Sequence, residues 1–260
     1  MSFRLGQLPP IQVAQTRAGR LSYVVSGEGP ASIVLFNGAG VSLEGWRALY
    51  PAIESIGRVF AWNRLGVKGS DAPSCAQSGA AVVASLRELL GYAGMEPPYV
   101  LVAHSLGGLF ANLFARLHPR ETRGVLFLEA THPRDREVLK GHETLLGQAI
   151  ERVLSVPQKM FADNLHSEIE WIDETVKQVD SAGPFPQLPV AVITGGNPPP
   201  AWMMSPGAAA ARRANQHDLA RLSPQAEHVM AHESGHFPQL SEPQLVLDTI
   251  ERLVRQTVAA

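Results

Sequence analysis

A single cysteine, Cys75, occurs in the 260 residues. It excludes an internal disulfide, and its small polar surroundings, D-A-P-S-C-A-Q-S-G, hold no second thiol for a metal-ligand pair. A chain so poor in cysteine is suited to a reducing compartment, and a cytoplasmic location is expected. Neither sign of charge dominates: 22 basic against 24 acidic residues leave a net charge of -2, and the only adjacent basic pair is Arg212-Arg213. That balance excludes a basic stripe for nucleic acid and a patch for anionic membranes. No apolar run reaches the roughly 18 residues of a membrane span, and the opening M-S-F-R-L-G-Q-L-P-P lacks the apolar core of a signal peptide. There is no internal repeat, and the short G-A-A-A-A-R-R tract is the one low-complexity segment.

What the chain does have is alternation. Short apolar runs are predicted as strands at Leu21 to Val25, Ser32 to Phe36, Val59 to Trp62, Tyr99 to Ala103, Val125 to Leu128, Val190 to Thr194 and about His228 to Ala231. Between them, Val82, Val83, Leu86, Leu89 and Leu90 recur at helical spacing, as do Leu106, Leu109, Phe110, Leu113, Phe114 and Leu117. Ser241 and Gln244 read as a capping box, with Pro243 inside the first turn, for a last helix carrying Leu247, Ile250 and Val254. The expected fold class is α/β, a mostly parallel central sheet with helices on both faces. The alternation breaks between residues 133 and 189, where Met160, Phe161, Leu165, Ile169 and Trp171 occur without a convincing strand. A helical insertion over the C-terminal edge of the sheet is expected there, where open parallel sheets bind ligands.

The stretch Y-V-L-V-A-H-S-L-G-G-L-F ends an apolar strand at Ser105 and restarts at once as a helix. A hydroxyl at such a corner projects from the top of the sheet, and the tight backbone requires small neighbours, which Gly107 and Gly108 supply. The helix start also turns free N–H groups and the positive end of its dipole toward the corner, where an acyl oxyanion would develop. Ser105 is therefore a candidate nucleophile; the plainer reading is an N-cap serine. A serine hydroxyl needs a base to take its proton. Of nine histidines, His236 stands out because A-H-E-S-G-H-F-P puts it in a loop between the last strand and the last helix. His228, His232 and His236 would line one face of a helix as metal ligands, but Gly235 and Pro238 oppose a helix and Val229-Met230 favour a strand. No metal site is expected. His104 and His132, near strand ends, are pocket-lining candidates, with a hydrogen-bonded structural role as the simpler reading.

Together, Ser105 in A-H-S-L-G-G, His236 in S-G-H-F-P and the N-G-A-G turn after the second predicted strand resemble the α/β-hydrolase family. Ala103 stands where the family pattern G-x-S-x-G has its first glycine, and Asn37 where its first loop commonly has histidine. W-N-R-L-G-V-K-G-S-D is similar to the family's D-R-x-G-x-G-x-S segment, with Asn63 in place of the aspartate. The resemblance implies a core of residues 1–132 and 190–260 with a helical cap, 133–189, between the sixth and seventh strands. It also implies an oxyanion hole from the backbone N–H groups of Ala39 and Leu106. The family's acid usually follows the seventh strand, where this chain has Asn197, and an amide cannot stabilise an imidazolium as a carboxylate does. Glu129 ends the strand V-L-F-L at the active edge, some relatives carry their acid after the sixth strand, and the order Ser105, Glu129, His236 keeps the family order. Its plainer reading is a loop cap or a partner of Arg134; Asp135 and Asp218 are weaker candidates.

These residues imply a cofactor-independent serine hydrolase acting on a small, partly hydrophobic ester or related acyl compound through an acyl-enzyme. P-A-W-M-M at Pro200 to Met204 fits an apolar part of the substrate or ordinary packing equally. The other classes compatible with the residues are a C–C bond hydrolase or lyase on the same scaffold, and a ligand receptor or regulatory protein that retains the triad with little turnover. No nucleic-acid partner is expected, and the oligomeric state stays open.

Overall fold

The computed structural model describes residues 6–139, 168, 170–202 and 204–258. Among these residues, eight strands form one sheet: β1 Gln12–Thr16, β2 Gly19–Ser26, β3 Ser32–Phe36, β4 Arg58–Trp62, β5 Tyr99–His104, β6 Thr122–Leu128, β7 Val190–Gly195 and β8 Ala226–Ala231. Their spatial order is β1-β2-β4-β3-β5-β6-β7-β8. β2 runs antiparallel to both β1 and β4, and every pairing from β4 to β8 is parallel.

The inner parallel strands β3, β5, β6 and β7 are largely apolar on both faces because both faces are covered, whereas the edge strand β8, with Glu227 and His228, is only partly buried. Alternate residues separate into two cores. Val34, Phe36, Phe60, Trp62, Leu101, Ala103, Val125 and Phe127 meet the buried stripes of α1 Gly79–Tyr92 and α2 Gly107–Leu117. Ile33, Leu35, Val59, Ala61, Val100, Val102, Leu126 and Leu128 meet the last helix, Pro243–Val258, through Val246, Ile250, Leu253 and Val254. α2 is buried nearly all round, since it lies between the sheet, α1 and a later helix, α3 Ile172–Ser181. It stops at His118 because Pro119 cannot continue it.

Seven of the eight strands coincide with predicted ones to within a few residues. β1 was not predicted: Gln12 and Val13 are exposed on an edge strand, so it carries no apolar alternation, and its hairpin partner β2 defines it. The capping box is a correction. Ser241 ends a short helix, Pro238–Ser241, and its hydroxyl donates to Ser234 Oγ at 2.6 Å and to the Phe237 carbonyl instead of capping the helix that follows. Met160, Phe161, Leu165 and Ile169 lie outside the described residues. Among those described, no helix is long and apolar enough to cross a membrane.

Candidate active site

Because β3, β5, β6, β7 and β8 are parallel, their C-terminal ends open on one edge. Asn37 follows β3, Ser105 follows β5 and Glu129 follows β6. His236 lies in the loop after β8.

Ser105 has φ +52°, in the left-handed region that a side chain rarely adopts. Its N–H donates to the Leu128 carbonyl of the neighbouring strand, and its own carbonyl accepts from Gly108 and Thr131. The corner tolerates only small residues behind it: a Cβ on Gly107 would stand 2.8 Å from the Asn37 carbonyl oxygen, and one on Gly108 would stand 2.5 Å from Ala130 Cβ. Gly38 is close on the other side, where a Cβ would stand 3.2 Å from Ser105 Cβ. The N-G-A-G turn therefore lies directly against the serine. Among the described residues, the N–H groups of Ala39 and Leu106 have no hydrogen-bond acceptor.

His236 bridges the other two candidates. Its Nε2 is 3.0 Å from Ser105 Oγ and its Nδ1 is 3.3 Å from Glu129 Oε2. Since a carboxylate can only accept, Nδ1 carries the proton and Nε2 is left to accept from the serine hydroxyl. Ser105 and His236 are partly exposed, whereas Glu129 is buried behind them. Glu129 also has a positive φ, +44°, and its Oε1 accepts from the Gly195 N–H at 2.8 Å. Burial alone would raise this carboxyl. The hydrogen bond to His236, the charge of Arg212 and the Gly195 N–H outweigh burial and bring it down to about 2.

Asn197 is exposed, and its main-chain N–H donates to the Ser234 carbonyl. That contact holds the loop after β7 against the loop that carries His236. A Cβ on Gly195 would stand only 2.3 Å from the Gly235 carbonyl oxygen, so the two backbones touch. His104 supports the same loop from below: its Nε2–H donates to the His236 carbonyl at 2.8 Å. Burial, reinforced by the neighbouring His236, pushes the His104 imidazole down to about 3. His132 is buried and accepts the Arg134 N–H at Nδ1.

The remaining acids are otherwise engaged. Asp135 is buried and takes the His132 N–H, the Asn215 amide and, at 3.6 Å, Arg212. Asp218 pairs with Arg134 and Arg221, so Arg134 is the partner of Asp218, not of Glu129. His228 belongs to β8 and bonds Thr194 and His217; the three histidines at four-residue spacing do not share a helix. Among the described residues no group of three or more His, Cys, Asp or Glu is placed to hold a metal. Trp202 is exposed and Met204 buried; Met203 lies outside the described residues.

Of three charged residues beside the site, Arg212 and Glu168 have no sequence signal, and Arg64 has only its place as the arginine of the W-N-R-L-G segment. Arg212, on a helix from Pro206 to Leu219, brings Nη2 to 3.5 Å from both Glu129 Oε2 and the Glu129 carbonyl. Arg64 and Glu168 form a buried ion pair against the N-G-A-G turn. A long charged side chain at such a place looks in sequence like any solvated one. Asn63, by contrast, is legible as a replacement: its Oδ1 accepts the Leu43 N–H, and its amide donates to Ser22 Oγ and the Lys68 carbonyl, a donor role an aspartate cannot take.

A serine at a strained strand-to-helix corner of a doubly covered sheet, faced by a histidine from the loop after the last strand, defines a class of fold that comparison with known families matches. The family model for the alpha/beta hydrolase fold covers residues 31–198, and the chain belongs to that family. The chain is 25% identical over 222 residues to the uncharacterized protein YqjL of Bacillus subtilis, covering 85% of this chain and 82% of that one. It is 24% identical over 295 residues to the uncharacterized protein Rv2715 of Mycobacterium tuberculosis, covering 97% and 83%. A Schizosaccharomyces pombe protein is 41% identical over 73 residues, which are 28% of this chain and only 14% of that much longer relative. Among solved structures, a thermophilic esterase from Thermogutta terrifontis superposes with a TM-score of 0.72 at 18% identity, covering 96% of this chain and 99% of the esterase. The enol-lactonase from Burkholderia xenovorans gives 0.68 at 19%, covering 94% and 100%. At these identities the structures share a fold with this chain.

Proposed function

We propose that the protein is a cofactor-independent serine hydrolase of small, partly hydrophobic carboxylic esters, working through an acyl-enzyme. Ser105 Oγ attacks the ester carbonyl while His236 Nε2 takes its proton. The carbonyl electrons move onto oxygen, and the N–H groups of Ala39 and Leu106 hold that oxyanion. Collapse expels the alkoxide, which leaves as alcohol with the proton from His236. Water then repeats the sequence, its proton passing to His236, and Ser105 is released with the carboxylic acid. Glu129 fixes the imidazole tautomer and stabilises the imidazolium in both halves.

The observation that carries the reading is His236 bridging Ser105 and Glu129 at 3.0 and 3.3 Å. The esterase and lactonase structures of like fold support it. Residues 133–189 are proposed as the cap that covers this edge, with Asp135–Leu139 and α3 as its described ends. Pre-steady-state hydrolysis of a short chromogenic ester tests the whole scheme. The wild type is expected to release close to one equivalent of product in a burst that Glu129→Gln slows by orders of magnitude. A burst unaffected by Glu129→Gln would remove the acid from this position, and no turnover of several esters would overturn the esterase reading.

A further inference from the structure

Resting on that reading, we propose that Arg64 and Glu168 are positioning residues that orient the Ala39 N–H as an oxyanion donor. Both are almost fully buried and paired with each other, Arg64 Nε to Glu168 Oε1. Arg64 comes from the segment after β4, and its planar fork spans two successive carbonyls of the turn: Nη1 donates to the Asn37 oxygen at 3.0 Å and Nη2 to the Gly38 oxygen at 2.6 Å. Glu168 comes from within the 133–189 segment, a few residues before α3, and its Oε2 accepts the Gly40 N–H at 2.9 Å. The Phe110 ring lies 5.3 Å from the guanidinium carbon and closes its other side.

The consequence follows from peptide geometry. In a trans peptide the N–H points opposite to the C=O of the same plane. The Gly38 carbonyl and the Ala39 N–H share one plane, so drawing that oxygen to Arg64 turns the Ala39 N–H away from Arg64. The Ala39 carbonyl and the Gly40 N–H share the next plane, which Glu168 holds through its N–H. The planes on both sides of Ala39 are therefore clamped while its own N–H stays unspent. Without the pair, this Gly-flanked turn, with Gly40 at φ +62°, would be held by one long bond from the Val41 N–H to the Gly38 oxygen at 3.3 Å and would have more orientations. An oxyanion donor acts through being fixed before charge develops, and this pair supplies the fixing. The clamp needs both partners, since Arg64 has only carbonyls to grip and Glu168 only an N–H.

The test compares wild type, Glu168→Gln, Arg64→Lys and the double variant Arg64→Met/Glu168→Met. The double variant removes the charges together, a change that buried pairs often tolerate without loss of folding. Hydrolysis of p-nitrophenyl acetate is measured with the inhibition constant of phenylboronic acid, whose tetrahedral adduct with Ser105 uses the oxyanion site. In Glu168→Gln and the double variant kcat is expected to fall about a hundredfold, with KM within about threefold. The boronic-acid constant should weaken in step with kcat. Arg64→Lys, which keeps the charge but loses the fork, should fall between. A merely structural pair would change the unfolding midpoint without this split of kcat from KM. Folded variants with wild-type kcat would overturn the assignment, as would failure of all three to fold. A wild type inactive toward the ester and unlabelled at Ser105 by a fluorophosphonate would overturn the hydrolase reading and this inference with it.

Discussion

Ser105 and Glu129 stand side by side one residue beyond a paired position of adjacent parallel strands, His104 opposite Leu128, and both have positive φ, +52° and +44°. The shared left-handed turn brings both side chains to His236 at the open edge. Each such conformation costs a non-glycine residue roughly 1–3 kcal/mol.

Strain at the serine is separable from its chemistry. Ser105→Gly is expected to be more stable than Ser105→Ala by about 1 kcal/mol, because glycine adopts the left-handed region freely. Both variants should lose covalent labelling by a serine-directed phosphonate. Equal urea midpoints for the two would contradict the strain, and full labelling of Ser105→Ala would remove it as nucleophile.

Moving a carboxylate to the usual place should not repair a missing one. Asn197 is exposed, and the loop's contact to Ser234 runs through its main chain. Asn197→Ala is therefore expected to keep ester turnover within about twofold, whereas Glu129→Gln loses about a thousandfold or more, by analogy with the aspartate-to-asparagine change in a serine protease. Asn197→Asp in the Glu129→Gln background should leave kcat/KM low. Restored turnover there would show that the loop can swing its side chain to His236.

Acid should destabilise the fold in two stages. His104 stays neutral in the folded chain down to about 3, while its unfolded counterpart binds a proton below about 6.5. Between those values the unfolded state holds more protons, so stability falls as pH falls. Glu129 adds to this from about 4.5 down to about 2, because its folded carboxyl stays ionised where the unfolded one is protonated. Urea midpoints from pH 7 to pH 3 should show His104→Gln flattening the upper stage. His118, His132 and His228, also lowered by burial, leave some slope. An unchanged slope in His104→Gln would argue that its ring is not buried neutral.

Restoring the family's aspartate at position 63 should weaken the protein. In Asn63→Asp an acceptor-only oxygen would face the Lys68 carbonyl, where the amide now donates at 2.7 Å. A loss of about 1–3 kcal/mol in chemical denaturation is expected. A variant as stable as wild type would mean the 63–71 turn can repack around a charge.

The positions of Ser105, His236 and Glu129 are legible in sequence because strand, turn and helix signals are local, and parallel strands must end on one edge. β3 illustrates this: Ser32–Phe36, apolar without a break from Ile33, has matching predicted and observed limits. β1 is illegible because an exposed edge strand has no buried face to write a pattern, and its pairing partner lies in another segment. Glu168, Arg212 and the pairing of Arg64 are illegible for a related reason, although Arg64 itself stands at the arginine of a family segment. Their burial depends on contacts across 104 residues of chain for the Arg64–Glu168 pair and 83 for Arg212 with Glu129.

The backbone contact between the loops after β7 and β8 has a consequence for how variation in this chain would be interpreted. One added methyl at Gly195 would act as a wedge under the segment that carries His236, though position 195 contributes no side chain to any reacting atom. A mutational scan scored only by activity would rank Gly195 beside Ser105, and a chemist would look there in vain for a functional side chain. Beyond the N–H it gives to Glu129, what that position contributes is room.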